Sequence, residues 1–315
     1  MARRPPPFRS ILVPLDGSPF GEAALPWATA LAAASRAKLR LVLVHRSPPP
    51  VWSDEAARLF TRVELAMRRS ERDYLRRHAA HVRRVSRIQV ATAVLDGPVA
   101  RTLLEYVTDC GADLVVMSTH GRGPLQRAWL GSVADEMLRT LQIPFLLVRP
   151  VEGGPAVPAM FADGELLVPL DGSGLAEAVL PPAAGIARVF DAPVALLQVV
   201  PPVVLATDPA LPFPQGFDEE LTAAARDDAQ DYLDGVAERL REEGVRATAV
   251  AALGGNPAET VLDASKAATV RMVALATHGR GGVRRLVLGS VADKLIRGAE
   301  LPVLVVRPTG KARRS

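Results

Sequence analysis

The sequence predicts an α/β chain of two tandem, doubly wound, five-stranded parallel sheets, each with strand order 3-2-1-4-5. Three observations predict it. Sequence blocks recur in the same order in both halves: VPLDGS at 13–18 and 168–173, THGRG at 119–123 and 277–281, and GSVAD at 131–135 and 289–293. Repetition of this kind marks a duplicated structural unit rather than chance. Short apolar runs without polar alternation, such as Ile11–Leu15, suit parallel strands buried on both faces. Strand and helix patterns then alternate through each half, the signature of a parallel sheet with helical crossovers. The 315 residues hold two domains at roughly 100–200 residues each.

In the first half, strand 11–15 leads to Ser18, a residue suited to cap a helix over about 20–35. A second strand covers 39–44. A long Arg-rich helix spans about 54–83, and a third strand 88–94. Pro98 stands near the start of a helix that runs to about Cys110, since proline is tolerated in a first turn. A strand at 114–118, a helix from Ser132 to about 141 and a strand at 145–148 close the half. The second half repeats the order at 165–170, 175–189, 194–200, 219–243, 246–252, 257–268, 271–276, 290–299 and 303–306. Domain boundaries are expected at 8–150 and 164–309, with 151–163, rich in Gly, Pro and Ala, as linker and 310–315 as a basic tail.

Composition narrows the function classes. Hydrophobic residues make up 49% of the chain and aromatics 4%, so Leu, Val and Ala must fill each core. One cysteine, Cys110, forbids an intrachain disulfide. The opening MARRPPPFRS has no apolar h-region, and charge, Gly or Pro breaks every apolar run short of the ~18 residues of a membrane span. A cytoplasmic protein without a membrane partner is the expectation. The net charge of +4 is modest. Arg68, Arg69, Arg72, Arg76, Arg77, Arg83, Arg84 and Arg87 form a basic stretch, but it lacks interleaved aromatics, and Glu64, Glu71 and Asp73 dilute it. It reads as a solvated helix face in preference to a nucleic-acid site. His78 and His81 could share a metal, yet no carboxylate or cysteine completes a set, so a solvated face is again preferred and no metal site is assigned. Cys110, at a helix end beside Gly111, reads as a structural thiol.

The chemistry-bearing residues gather where strands end. In doubly wound sheets, ligands bind outside the carboxyl ends of the strands, where strand order reverses. Asp16-Gly17-Ser18 and Asp171-Gly172-Ser173 follow the first strands. The loops opening with Thr119-His120-Gly121 and Thr277-His278-Gly279 run on to Gly131-Ser132 and Gly289-Ser290 at helix starts. Glycines let a backbone approach an anion, helix N-termini favour negative charge, and a serine hydroxyl adds a donor. An aspartate after the first strand can accept from a ribose hydroxyl. A lone Gly-rich loop reads as a tight turn. Its set distance to Gly-Ser, a partner Asp and a complete second copy favour a nucleotide site. Ser18 and Ser173 precede helices, so capping explains them before nucleophilic catalysis does. No Gly-x4-Gly-Lys-(Ser/Thr) and no Gly-x-Gly-x2-Gly after a first strand is present, which disfavours P-loop and dinucleotide enzymes.

On these residues the chain resembles the universal stress protein family in its tandem form, from about Ser10 to Pro150 and Gly164 to Pro308. The ATP-binding branch carries Gly-x2-Gly-x9-Gly-(Ser/Thr). Here the halves read Ser118-x2-Gly121-x9-Gly131-Ser132 and Ala276-x2-Gly279-x9-Gly289-Ser290, with Ser or Ala for the first Gly. The resemblance implies a Rossmann-like fold and an adenine-nucleotide site in each half. It assigns Pro14, Asp16, Met117, Ser118, His120, Gly121, Gly131, Ser132 and Val133 in the first. In the second it assigns Pro169, Asp171, Val199, Leu275, Ala276, His278, Gly279, Gly289, Ser290 and Val291. Val199 is the apolar residue that faces adenine, and its first-half counterpart reads as Arg46, so tighter binding is expected in the second half. The ligand implied is ATP with Mg²⁺; AMP, cyclic AMP and cyclic dinucleotides stay open. The role implied is stress response or regulation with at most slow hydrolysis, because no general base or arginine finger stands out. A genuine ATPase or nucleotide transferase is the rival of the enzyme class. A nucleotide-free scaffold is the rival that Ser118 and Ala276 suggest. The apolar fifth strands, 145–148 and 303–306, are expected to cover each other as an intramolecular pseudo-dimer, with a homodimer also open.

Overall fold

The computed structural model describes residues 6–47, 54–119, 130–150, 161, 163–204, 218–277 and 288–308. The chain divides into two compact units, Met1–Val157 and Pro158–Ser315.

In the first unit, β1 (Ser10–Pro14), β2 (Lys38–His45), β3 (Val90–Asp96), β4 (Leu114–Ser118) and β5 (Phe145–Val148) pair in the order β3-β2-β1-β4-β5, all parallel. Every residue of β1 and of β5 is buried, as a central parallel sheet with both faces covered requires. The helices are α1 (Pro19–Glu22), α2 (Ala24–Ser35), α3 (Asp54–Ser86), α4 (Val99–Asp109) and α5 (Ser132–Thr140). α3 lies against β2 and β3, α2 against β1 and β4, and α4 beside α5.

The second unit repeats the plan. β6 (Glu165–Pro169), β7 (Val194–Val200), β8 (Ala247–Leu253), β9 (Val270–Ala276) and β10 (Val303–Val306) pair in parallel in the order β8-β7-β6-β9-β10. A 3₁₀ turn (Ala176–Val179), α6 (Leu180–Phe190), α7 (Glu219–Glu242), α8 (Pro257–Ser265) and α9 (Ser290–Gly298) complete it. No described helix is long and apolar enough to cross a membrane.

Two single helices expected from the sequence are divided, and proline explains both divisions. Pro26 has no N–H to give the Glu22 carbonyl, so the run breaks between α1 and α2 at Ala23. Pro181 and Pro182 cannot bond back to the preceding turn, which stays 3₁₀ before α6 begins.

Candidate functional site

The Asp-Gly-Ser turns leave β1 and β6 in the same way. Gly17 and Gly172 take φ of 77° and 79°, a left-handed backbone that glycine adopts without Cβ strain. This bends the chain so that each aspartate folds over its serine. Asp16 Oδ1 accepts from the Ser18 N–H at 3.0 Å and hydroxyl at 2.7 Å, and Asp171 Oδ1 from those of Ser173 at 3.0 and 2.6 Å. The serine oxygens in turn accept from Gly21 N at 3.1 Å and Ala176 N at 3.2 Å, so both serines cap the following turn.

At the other side of the switch point, Gly289 N–H donates to the Thr277 carbonyl at 2.9 Å, and Gly131 N–H to Thr119 at 3.0 Å. The first helical bond of α9 runs from Asp293 N to Gly289 O, and of α5 from Asp135 N to Gly131 O. The amides with no helical acceptor are therefore those of Ser290, Val291 and Ala292, and of Ser132, Val133 and Ala134. The N–H groups without a helical acceptor come after the glycine, not from it.

In the second unit these parts converge on one cleft of ≈ 960 Å³. Pro169 and Asp171 enter it from β6, Val199 from β7, Leu275 and Ala276 from β9, and Gly289, Ser290 and Val291 from α9. The face of α7 adds Ala225, Asp228, Ala229 and Tyr232, β7 adds Gln198 and Val200, and Pro201 follows it. This volume lies in the range of ligand sites, roughly 300–1,000 Å³. Burial pushes the Tyr232 phenol up, with the neighbouring Glu177 charge adding to it. Its hydroxyl donates to Glu177 at 3.0 Å, and Arg239 reaches the other Glu177 oxygen at 2.7 Å, which ties α7 to the turn after β6.

The first unit is different. A smaller cavity of ≈ 380 Å³ is lined by Arg46, Gly97–Arg101, Ser132, Val133 and Glu136. Pro14, Asp16, Met117, Ser118 and Gly131 are not in that lining. His120, Gly121, His278 and Gly279 lie outside the described residues.

Strand register corrects one equivalence. Pro14 pairs with Val42 and Pro169 with Leu197, so two residues further on Val44, not Arg46, is the counterpart of Val199. The units diverge at the next position, where His45 replaces Val200. His45 is 2% exposed, and both its ring nitrogens meet carboxylates: Nδ1 lies 2.8 Å from Glu71 and Nε2 2.9 Å from Glu64. Ionised carboxylates only accept, so the ring donates from both nitrogens as an imidazolium. Burial alone would push the His45 pKa down, but the bonds to Glu64 and Glu71 outweigh it and hold it above the usual histidine value. Glu64 is held low: burial raises it, and the bonds to His45 and Arg68 overcome that. Arg68 reaches Glu64 at 3.0 Å and grips Asp96 through two nitrogens at 2.6 and 3.1 Å, which keeps Asp96 low as well.

The long helices align through a shared tripeptide, Asp73-Tyr74-Leu75 and Asp231-Tyr232-Leu233. The alignment superposes buried Leu75, Ala79 and Val82 on buried Leu233, Ala237 and Leu240. It places Glu71 where the second unit has Ala229, and Glu64 where it has Thr222. Register likewise sets Asp96 against Leu253, since His45 pairs with Asp96 and Val200 with Leu253. Val200 and Ala229, from an apolar cluster with Ala251 in the second unit, thus give way to His45 and Glu71 of an ionic clasp in the first. Sequence reasoning took Glu64 and Glu71 for part of a solvated face. A histidine ending an apolar strand, together with the repeated tripeptide, was the signal for the clasp.

The comparisons with known proteins agree with this architecture. The model of the universal stress protein family matches residues 7–149 and again 164–307. The chain belongs to the universal stress protein family. A universal stress protein of Mycobacterium tuberculosis is 26% identical over 319 residues, spanning 96% of this chain and 99% of its own. The crystal structure of a universal stress protein from Archaeoglobus fulgidus superposes with a TM-score of 0.68 at 17% identity, covering 95% of this chain and 98% of its own, a likeness of fold. A universal stress protein solved in complex with cAMP is 22% identical over 46% of this chain and 98% of its own, with a TM-score of 0.34. The tandem organisation of this universal stress protein and its Rossmann-like sheets therefore stand on the family match and the fold together.

Proposed function

We propose that the second unit binds an adenine nucleotide, ATP or a close relative, and that the protein works in the cytoplasm as a nucleotide-responsive stress regulator. The observation that carries the reading is convergence. Asp171, Val199, Ala276, Gly289, Ser290 and Val291, drawn from four elements, line one cleft of nucleotide size. Phosphates suit the N-terminus of α9, where amides without helical acceptors and the helix dipole favour negative charge. Mg²⁺ would come with the phosphates, whose oxygens are its usual ligands in nucleotide sites.

The reading gives the chain one nucleotide site. In the first unit the ionic clasp stands where the second has apolar wall, and Pro14, Asp16, Met117, Ser118 and Gly131 do not come together in the lining of the smaller cavity. Hydrolysis, if present, is slow in this proposal: the carboxylate at the switch point, Asp171, is engaged by Ser173 rather than poised as a base. Calorimetry of the full chain with ATP tests the reading, supported by mass spectrometry of nucleotide that co-purifies. One ATP bound per chain is expected. No binding of ATP, AMP or cyclic AMP would leave the scaffold reading in its place, and two sites of equal affinity would contradict the assignment to the second unit. The docking of the two halves through their fifth strands is carried as a further proposal from the sequence. Disulfide trapping between cysteines placed at Leu147 and Val305 tests it.

A further inference from the structure

We propose that Gln198 reads the base: its carboxamide selects adenine by the N6 amino group and N7. The inference rests on the nucleotide reading of the second cleft and adds a residue that neither the motif nor the family match singles out.

Gln198 is 8% exposed, and its Oε1 is buried without a hydrogen-bond partner among the described residues. A buried acceptor left unpaired costs about 1–3 kcal/mol, so such atoms call for a partner the protein itself does not supply. Nothing in the sheet requires the polarity. The other residues of β7 are all apolar, and register makes Leu43 the first-unit counterpart of Gln198. A leucine fills that place in the same fold.

The position of the side chain points to the base. The phosphate end of the cleft is at Ser290, on the N-terminus of α9. Two carboxylates, Asp171 and Asp228, also line the cleft and repel phosphate. The uncharged wall that remains for the base includes Val199, Val200, Pro201 and Ala229, and Gln198, next to Val199 in β7, lines the same cleft. Ala229 is small where the first unit carries Glu71, which leaves room above the strand.

The chemistry of a carboxamide fits one purine edge. Its oxygen accepts from the adenine N6 amino group while its N–H donates to N7, the bidentate pairing by which glutamine recognises adenine elsewhere. Guanine and hypoxanthine present two acceptors on that edge, O6 and N7, so Oε1 would stay unpaired and face another oxygen.

The test compares ATP with inosine triphosphate, by calorimetry on the full chain, for the wild type and Gln198→Leu, alongside thermal melting of the ligand-free proteins. The wild type is expected to prefer ATP by about 5- to 150-fold. In Gln198→Leu the preference should fall to within about twofold through weaker ATP binding, while ligand-free Tm stays the same or rises because an unpaired polar group has been removed. A variant that keeps the wild-type preference overturns the proposal. So does one that loses both nucleotides equally and melts earlier, the mark of a structural role. Failure of the wild type to bind either nucleotide overturns the nucleotide reading itself, an outcome distinct from both.

Discussion

Replacing Ser290 by alanine separates phosphate binding from folding. Ser290 is the first residue of α9, exposed at the mouth of the cleft, and the helix is capped by Gly289 without a side-chain bond. The hydroxyl therefore contributes little to the fold, and alanine is the better helix former, so stability should stay within about 0.5 kcal/mol of the wild type. Binding is another matter. A hydrogen bond to a charged phosphate oxygen is worth about 1.5–3 kcal/mol, which converts to roughly a 10- to 150-fold loss of ATP affinity. Adenosine lacks the phosphates and should bind Ser290→Ala as it binds the wild type. Isothermal titration of the full chain with ATP and adenosine reads both numbers, and a thermal melt reads the fold. The matching change in the first unit, Ser132→Ala, should leave ATP affinity unaltered. Equal losses for ATP and adenosine, or no loss for ATP, would refute the placement of the phosphates at α9.

Two further outcomes follow from the geometry. A Cβ on Gly289 would sit 3.1 Å from the Thr277 carbonyl, against 3.5 Å from Thr119 for Gly131. Gly289→Val should therefore destabilise its unit by roughly 1–3 kcal/mol as well as obstruct ATP, and should cost more than Gly131→Val; equal melting shifts would count against this. The clasp predicts a pH optimum for the first unit. The His45 pKa is raised above 6.5, so its contribution is full below that value and is lost as pH climbs through the raised one. Glu64 and Asp96 are lowered from 4.5 and 3.8, so their contribution is present above those values and is lost as pH falls through the lowered ones. Thermal scans across pH should show a maximum between, and His45→Gln should flatten the alkaline arm; an alkaline arm unchanged in the variant would disprove the imidazolium.

The sheets were legible because their strands are plain. β4, β5, β7 and β10 fall where predominantly apolar runs put them, and the repeat fixed their order. The helix breaks were not read because Pro26 and Pro181-Pro182 sit close to a helix start, where proline is compatible with a first turn and with a restart alike. The wall residue was misplaced for a simple geometric reason. The sequence shows where strands run but not how they pair, and it is the pairing of β2 with β1 and of β7 with β6 that sets Val44 against Val199. The clasp went unread because His45, Glu64, Glu71 and Asp96 come from β2, α3 and β3, and it is the packing of α3 on the paired strands that brings them together. Nothing in the sequence marks Gln198; its burial with an unpaired oxygen does.

Photolabelling with 8-azido-ATP tests the central claim most directly, since the reactive group sits on the base and reports where the base lies. On the full chain, with unlabelled ATP as competitor, the account predicts ATP-protected label in the peptide carrying Val199, Val200 and Pro201. ATP-protected label confined to the first unit, in peptides carrying Arg46 or Ser132, would contradict it.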